Sequence, residues 1–296
     1  MILHKSVLRD EVLDYLDVHS NHHYVDCTLG GGGHTEGILE RSGPKGTVLA
    51  IDLDEETILR AHERLKKYTK RLIIHRGNFH DLEKIVQEHT IGPVSGIVYD
   101  LGLSIDLLKA SGRGFSFLAD EPLDMRFDIR QSLRAEEIVN YWSEKEIADT
   151  IFAYGEERFS RRISKAIVHA RKMKRIDTTA YLVEIIERSV PSGYRHKRIH
   201  CATRTFQGLR IAVNDELDGL KRSLQSAVHS IQPGGRIAVI SFHSLEDRIV
   251  KHYFRELAVK GLGTLIIKKP CIPSDEEIEA NPASRSAKLR VIQINS

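Results

Sequence analysis

The sequence predicts an α/β protein: a doubly wound, mostly parallel sheet interrupted by a helical insertion. Three observations predict it. Over the first hundred residues short apolar runs alternate with helical patterns; a glycine-rich turn directly follows the first of those runs; and after a long helical stretch the same alternation resumes near residue 215.

Residues 23–27 (His-Tyr-Val-Asp-Cys) read as the first strand and 34–41 as a helix. A strand at 47–52, a helix at 55–68, a strand at 71–76 and a helix at 79–89 follow, and 94–101 is a fourth apolar run closed by Gly102. Right-handed crossovers between parallel strands turn that order into a doubly wound sheet. Beyond Gly102 the pattern is helical or irregular. Residues 158–174 place Phe159, Ile163, Ala166, Ile167 and Ala170 on one face and most of their basic residues on others. Residues 178–190 read as a second helix stopped by Pro191-Ser192-Gly193, before a polar loop rich in Arg and His. The α/β rhythm returns with a helix at 215–231, a turn at Pro233-Gly234-Gly235, a strand at 236–242, a helix at 245–259, and strands at 264–268 and 288–294. The economical organisation is one seven-stranded domain made of 1–102 and 206–296, with 103–205 inserted as a helical domain.

Composition narrows the partners. No stretch of the 296 residues approaches the roughly 20 apolar residues of a membrane helix, and the N-terminus has no signal core, so a soluble cytoplasmic protein is expected. Cys27, Cys201 and Cys271 are odd in number and far apart, which suits a reducing compartment and offers no zinc spacing. The fifteen histidines are scattered, and no metal is expected. The net charge of +3 is uneven: between positions 156 and 210 fourteen Lys/Arg face five acids, so that segment is strongly basic and the remainder acidic. A phosphate-rich partner would select such a block, although a solvated helical surface also produces one.

The chemistry sits at strand ends. The run Asp26-Cys27-Thr28-Leu29-Gly30-Gly31-Gly32-Gly33-His34 follows the first strand and opens a helix, where glycines let backbone amides approach a ligand. The second strand ends in Ala50-Ile51-Asp52-Leu53-Asp54; an acid there can accept ribose hydroxyls, with Asp52 preferred and Asp54 in reserve. The third ends Gly77-Asn78-Phe79, a ring and an amide suited to an adenine, and the fourth ends Asp100-Leu101-Gly102. Each alone also reads as a core ring or a helix cap; four in order point to an adenosine cofactor. The spacing Asp26-x-Thr28-x-Gly30-x-Gly32 resembles the turn of S-adenosylmethionine (SAM) dependent methyltransferases, with Thr28 at the first glycine.

More specific stretches are His4-Lys5-Ser6-Val7-Leu8, Asp100-Leu101-Gly102-Leu103-Ser104, Arg113-Gly114-Phe115-Ser116-Phe117, Pro122-Leu123-Asp124-Met125-Arg126, Tyr154-Gly155-Glu156-Glu157-Arg158-Phe159, Ala202-Thr203-Arg204-Thr205-Phe206-Gln207, Ser241-Phe242-His243-Ser244-Leu245-Glu246-Asp247-Arg248 and Asn281-Pro282. With the glycine turn they resemble the MraW (RsmH) family over nearly the whole chain. That resemblance implies a Rossmann-like SAM-dependent methyltransferase with an inserted helical domain, acting on the exocyclic N4 of a decoding-centre cytosine in small-subunit ribosomal RNA. It implies SAM contacts at Gly32, Gly33, His34, Asp52, Phe79 and Asp100. The candidates for contact with the reacting base are Asp100, His243 and Asp247, the last two equally readable as a helix cap with a packed histidine. Two positions depart from the family: Leu107 stands where a cofactor-touching Gln is usual, and Glu121 where Gly is usual. A nicotinamide dehydrogenase would share the glycine turn and Asp52, and a catalytically silent RNA-binding assembly factor would share the basic insertion. A DNA amino-methyltransferase normally carries Asn/Asp-Pro-Pro-Tyr where Asp-Leu-Gly-Leu stands here, and DNA is not expected as partner.

Overall fold

The computed structural model describes residues 6–102 and 112–295, and the chain packs as two compact units, Met1–Gly102 with Leu217–Ser296, and Leu103–Glu216. The first unit contains α1 (Arg9–Tyr15), β1 (His23–Asp26), α2 (Gly33–Arg41), β2 (Val48–Asp52), α3 (Glu55–Arg64), β3 (Leu72–Arg76), α4 (Leu82–His89) and β4 (Val94–Asp100). After the insertion come α11 (Glu216–Ser230), β5 (Ile231–Ser241), α12 (Ser244–Val259), β6 (Gly263–Leu265), α13 (Asp275–Ala280) and β7 (Lys288–Ile294). The strands form one seven-stranded sheet in the order β3-β2-β1-β4-β5-β7-β6, parallel from β3 to β5 and antiparallel at β7. This is the doubly wound, mostly parallel seven-stranded sheet that the sequence predicts.

The central strands are apolar on both faces because helices cover both faces. Successive side chains alternate between the layers. Val25, Leu49, Ile51, Ile97, Tyr99, Ile237 and Val239 pack with Leu82 and Ile85 of α4, Leu220 and Leu224 of α11, and Val250 and Phe254 of α12. Tyr24, Val48, Val98, Ala238 and Ile240 pack instead with Val12 and Leu13 of α1 and Ile38 and Leu39 of α2. One expected turn lies elsewhere. Ile231 already pairs with Val94, and the register slips before Arg236 pairs with Gly96, so Pro233-Gly234-Gly235 is a bulge within β5 rather than a turn ahead of it. Proline has no N–H for the ladder and Gly234 takes φ +80°, which is what a bulge accommodates. β6 is also shorter than the 264–268 expected.

The insertion contains α5 (Ala135–Tyr141), α6 (Glu144–Gly155), α7 (Ser160–Ala170), α8 (Thr179–Ser189), α9 (Ser192–Arg195) and α10 (Thr203–Asn214). It has a core of its own, including Ile138, Ile147, Ile151, Ile163, Ile167, Leu182, Ile186, Phe206 and Leu209. Because α10 contributes Phe206, Leu209 and Val213 to that core, the chain returns to the first unit after Glu216, later than the boundary at 205 and 206 that periodicity suggests. Several signature stretches turn out to be braces of this unit. The Arg126 guanidinium grips Asp124 at 2.7 Å through Nε and donates to the carbonyls of Ile129 and Gln131 at 2.8 and 2.7 Å. Asn214 donates to the Met125 carbonyl and accepts from the Phe127 N–H, each at 2.8 Å. Glu121 accepts from the Gly114 N–H at 2.8 Å, so the carboxylate at this departing position ties down a turn.

Gly155, at the end of α6, lets the start of α10 come close: a Cβ there would stand 2.2 Å from the Arg204 carbonyl oxygen. That neighbour is backbone and cannot rotate away. Gly155→Ala is therefore expected to destabilise the insertion by about 1–3 kcal/mol, the usual cost of overpacking, read as an earlier thermal or urea transition; an unchanged transition would show that α6 and α10 can separate at no cost.

Candidate active site

Asp26 ends β1 with its carboxylate fully buried. It accepts from the Thr28 N–H at 3.0 Å and from the Thr35 hydroxyl at 2.6 Å. Burial pushes this carboxyl above the usual range, against the pull of His34 and of those hydrogen bonds. Thr28 does what a glycine could not: its hydroxyl oxygen accepts from the Asp100 N–H at 2.7 Å, fastening the end of β1 to the end of β4.

The turn between β1 and α2 is set by Gly30 and Gly32, with φ +48° and +77°, conformations that cost a side-chain-bearing residue strain. Gly33 is constrained differently, since a Cβ there would stand 2.0 Å from the Ser6 hydroxyl. The N-terminal signature thus packs on the glycine turn, and Arg9 Nε donates to the Gly33 carbonyl at 3.2 Å. His4 and Lys5 of that signature lie outside the described residues. α2 opens at Gly33, so the first amides of the helix have no intrahelical acceptor and are available to a ligand.

The two acids at the end of β2 have separate tasks. Asp52 accepts from the Gly30 N–H at 2.9 Å and the Asp54 N–H at 3.0 Å, tying the glycine turn to the second strand. Burial pushes its carboxyl up to about 6. Each oxygen keeps lone-pair capacity for a further donor. Asp54 caps α3 instead, accepting from the Thr57 N–H at 3.0 Å and its hydroxyl at 2.8 Å. At the end of β3, Phe79 is half-buried and meets Tyr99 edge to face at 5.7 Å, while the Asn78 oxygen is spent on the His80 N–H at 3.0 Å, leaving the Asn78 amide N–H groups as donors.

His34 is 3% exposed, and its Nε2 stands 3.4 Å from Asp100 Oδ2. Among the described residues, neither ring nitrogen of His34 nor Asp100 Oδ1 has a hydrogen-bond partner. Burial alone would lower the imidazole, but Asp100 and then Asp26 outweigh it, and the balance holds His34 toward its protonated form. Sequence reasoning selected His34 and Asp100 separately and missed that they pair. The hydroxyl of Thr28 at a glycine position signals only the link from β1 to the Asp100 N–H, and no spacing pairs residues 34 and 100.

The other two candidates have structural occupations. His243 begins α12: its Nδ1 accepts from the Glu246 N–H at 3.3 Å while Glu246 accepts from the N–H of Phe242 and of His243. This is a capping box in which histidine takes the hydroxyl's place. Asp247 is paired with Arg290 at 2.7 Å and Lys288 at 3.4 Å on β7, and although burial opposes it, these cations hold its carboxyl below the usual range. The turn that carries both is near the site, because Gly102 faces the Phe242 ring so closely that a Cβ would meet it at 3.0 Å. Leu107 lies outside the described residues.

These residues fit SAM. The strand ends present two partly exposed carboxylates (Asp52 and Asp100) with the buried Asp26 behind them, glycine amides and a half-buried ring, and the orphaned polar atoms of His34 and Asp100 call for polar partners. Such a negative surround suits a sulfonium and an ammonium, whereas the pyrophosphate of a dinucleotide would be repelled. As for metals, His75, Glu88 and His89 bring ligand-type atoms within 4.8 Å of one another, but His75 Nδ1 and His89 Nε2 are 2.9 Å apart and hydrogen-bond each other.

Comparison with known proteins identifies the family. The model of the MraW methylase family matches residues 1–295. A protein named ribosomal RNA small subunit methyltransferase H from Brevibacillus brevis is 43% identical over 305 residues, covering 98% of this chain and 97% of that protein. Proteins of the same name from Sulfurihydrogenibium azorense and Halothermothrix orenii are each 45% identical, covering 98% and 99% of this chain and 99% of their own length. With the sheet order, the glycine turn and the strand-end carboxylates on the same chain, it belongs to the MraW methylase family, a family of SAM-dependent methyltransferases.

Proposed function

We propose that this protein transfers a methyl group from SAM to the exocyclic N4 of a decoding-centre cytosine in small-subunit ribosomal RNA, acting on the RNA or the ribosomal subunit in the cytoplasm. The names of the relatives support the RNA substrate. Among the described residues no helix is long and apolar enough to cross a membrane. The observation that carries the chemistry is Asp100 Oδ1, a carboxylate oxygen buried at the end of β4 with no hydrogen-bond partner among the described residues.

SAM supplies an electrophilic methyl group on a sulfonium. The task of the chain is to hold the nucleophile in line and to answer the charge that moves onto it. The amino nitrogen of cytosine is a poor nucleophile because its lone pair is delocalised into the ring. An acceptor at Asp100 Oδ1 would orient one amino hydrogen, stabilise the positive charge developing on nitrogen, and lie ready for the proton that the methylated nitrogen sheds. His34, paired to Asp100 Oδ2, fixes the direction of the carboxylate. Asp52 would accept the ribose hydroxyls of the cofactor. Reaching a stacked cytosine requires an exposed or flipped base.

Incubating the protein with methyl-labelled SAM and small ribosomal subunits from cells that lack it should label N4-methylated cytidine in the digested RNA. In that assay Asp100→Asn is expected to lower turnover by about 10²–10³-fold, the typical effect of removing one group aimed at developing charge, while the protein still unfolds cooperatively, with a transition lowered only as far as the lost pairing with His34 requires. Near-normal turnover would reduce Asp100 to a structural role.

Asp52→Ala should weaken SAM binding, measured calorimetrically, by about 1.5–3 kcal/mol. Asp54→Ala should leave it nearly intact and cost about 1 kcal/mol of stability through the lost helix cap. The opposite order would mean that Asp54 holds the ribose.

The pH dependence has a definite sign. Hydroxyl donors favour the ionised Asp52, whose carboxyl is pushed up to about 6 by burial. SAM affinity should therefore be full above that pH and fall as pH drops through it, by at most about tenfold per unit, and Asp52→Asn should flatten this part of the profile. A wild-type profile level between pH 7 and 5 would contradict the assignment.

A further inference from the structure

The basic character of the insertion is spread over several surfaces, and its cations differ in what they are bound to. Arg171 donates to the carbonyls of Val139 and Trp142 at 3.0 and 2.7 Å. Arg175 is paired with Glu136 and with the Tyr141 hydroxyl, and Arg188 with Glu184. These three guanidiniums have spent donors on the protein itself.

Around Tyr194 the arrangement is different. The Arg158 guanidinium lies 5.1 Å from the centre of the Tyr194 ring and 4.7 Å from that of Phe159, and Lys197 Nζ lies 5.6 Å from the Tyr194 ring. Arg204, at the start of α10, donates to the Glu156 carbonyl at 2.9 Å and also acts electrostatically on Tyr194. All three cations are exposed, and they come from the start of α7, the segment after α9 and the start of α10. The tyrosine itself is fixed from below: its hydroxyl donates to Glu157 Oε2 at 2.6 Å, and that carboxylate is fully buried and accepts the Phe159 N–H at 2.8 Å. Burial and the Glu157 hydrogen bond push the Tyr194 hydroxyl up to about 12, so it remains a neutral donor.

A cation held over an aromatic face is positioned without surrendering its N–H donors, whereas one held by a carboxylate is both neutralised and occupied. Two cations over one ring, with a third close enough to act on the same tyrosine, repel one another, and an anion bridging them relieves that repulsion. We propose that Arg158, Lys197 and Arg204, organised by Tyr194, form a clamp for consecutive phosphates of the RNA backbone. The proposal rests on the reading of the substrate as small-subunit RNA and adds where the insertion grips it. Arg195 and Arg198, exposed beside Tyr194 in sequence, extend the same positive surface. Phosphate contacts of this kind position an RNA without reading its sequence.

The test uses the full-length protein with purified small ribosomal subunits and with transcribed small-subunit RNA, measuring Kd across a salt series together with methyl transfer. Arg158→Gln combined with Lys197→Gln is expected to raise Kd and KM at least tenfold and to lower the log-log salt slope by about 0.7–0.9 for each phosphate no longer neutralised, with SAM affinity and the thermal transition unchanged. Tyr194→Phe should retain most of the binding, because the ring persists, while Tyr194→Leu should lose it as the charge variant does. Arg175→Gln with Arg188→Gln is the control and should change the salt slope little. If wild-type protein methylates the subunit but the Arg158/Lys197 variant matches it in Kd, KM and salt slope, the clamp is overturned and the substrate reading stands. If wild-type protein neither binds nor methylates either RNA, the substrate reading falls and the clamp with it.

Discussion

The site depends on one constraint: a carboxylate, Asp26, buried at the end of the first strand and made tolerable only by what surrounds it. An ion removed from water needs hydrogen bonds and an opposite charge. Asp26 obtains the first from Thr28 and Thr35 and the second from His34. Those partners lie on the turn and on the first part of α2, so satisfying the buried acid also draws the glycine turn against the strand ends. Thr28 carries the constraint onward to β4 through the Asp100 N–H, and His34 carries it through the Asp100 carboxylate. Asp52 completes the frame by accepting from Gly30. Cofactor turn and candidate catalytic carboxylate are thus parts of one electrostatic arrangement.

The tight packing of that arrangement also explains why glycine is required at several positions here. Gly30 and Gly32 adopt left-handed backbone within a few residues of each other, and Gly33 has no room for a side chain against Ser6. A chain drawn this tightly around a buried acid leaves little freedom, and pre-organised donors and acceptors are what a displacement governed by positioning requires. The same economy holds in the insertion, where Arg126 and Asn214 satisfy several backbone groups at once and fix the loops between helices.

Much of the fold was legible because buried parallel strands are short, apolar and followed by glycine or acid, as at Asp26, Asp52 and Asp100. The bulge at Pro233-Gly234-Gly235 was not, since the same three residues make a turn or a bulge according to whether the preceding Ile231 finds a partner strand. The end of the insertion was misplaced because the apolar stripe of α10 does not announce which of two cores it enters. In the site, spacing picked out Asp52, but only the geometry separates it from Asp54, as both are acids at a strand end and one caps a helix. His243 and Asp247 carry residue types that suit catalysis, and their partners Glu246 and Arg290 lie at separations from which pattern alone yields no pairing rule. Charge runs mislead in the same way: Arg171 and Arg175 count toward the basic 156–210 stretch yet are bound to acceptors of the protein itself, whereas what distinguishes Arg158 and Lys197 is the ring they share, which no charge count shows.

The coupling of His34 to Asp26 and Asp100 can be measured directly by titrating the His34 imidazole by NMR in the protein without ligand. Pairing with the two carboxylates predicts a pKa above the ordinary imidazole value, so that protonation persists as pH rises past it, and in Asp100→Asn the pKa should fall markedly because burial then opposes the charge with one partner fewer. A wild-type pKa below the ordinary value, or one indifferent to Asp100→Asn, would contradict the account of a charge-paired strand edge.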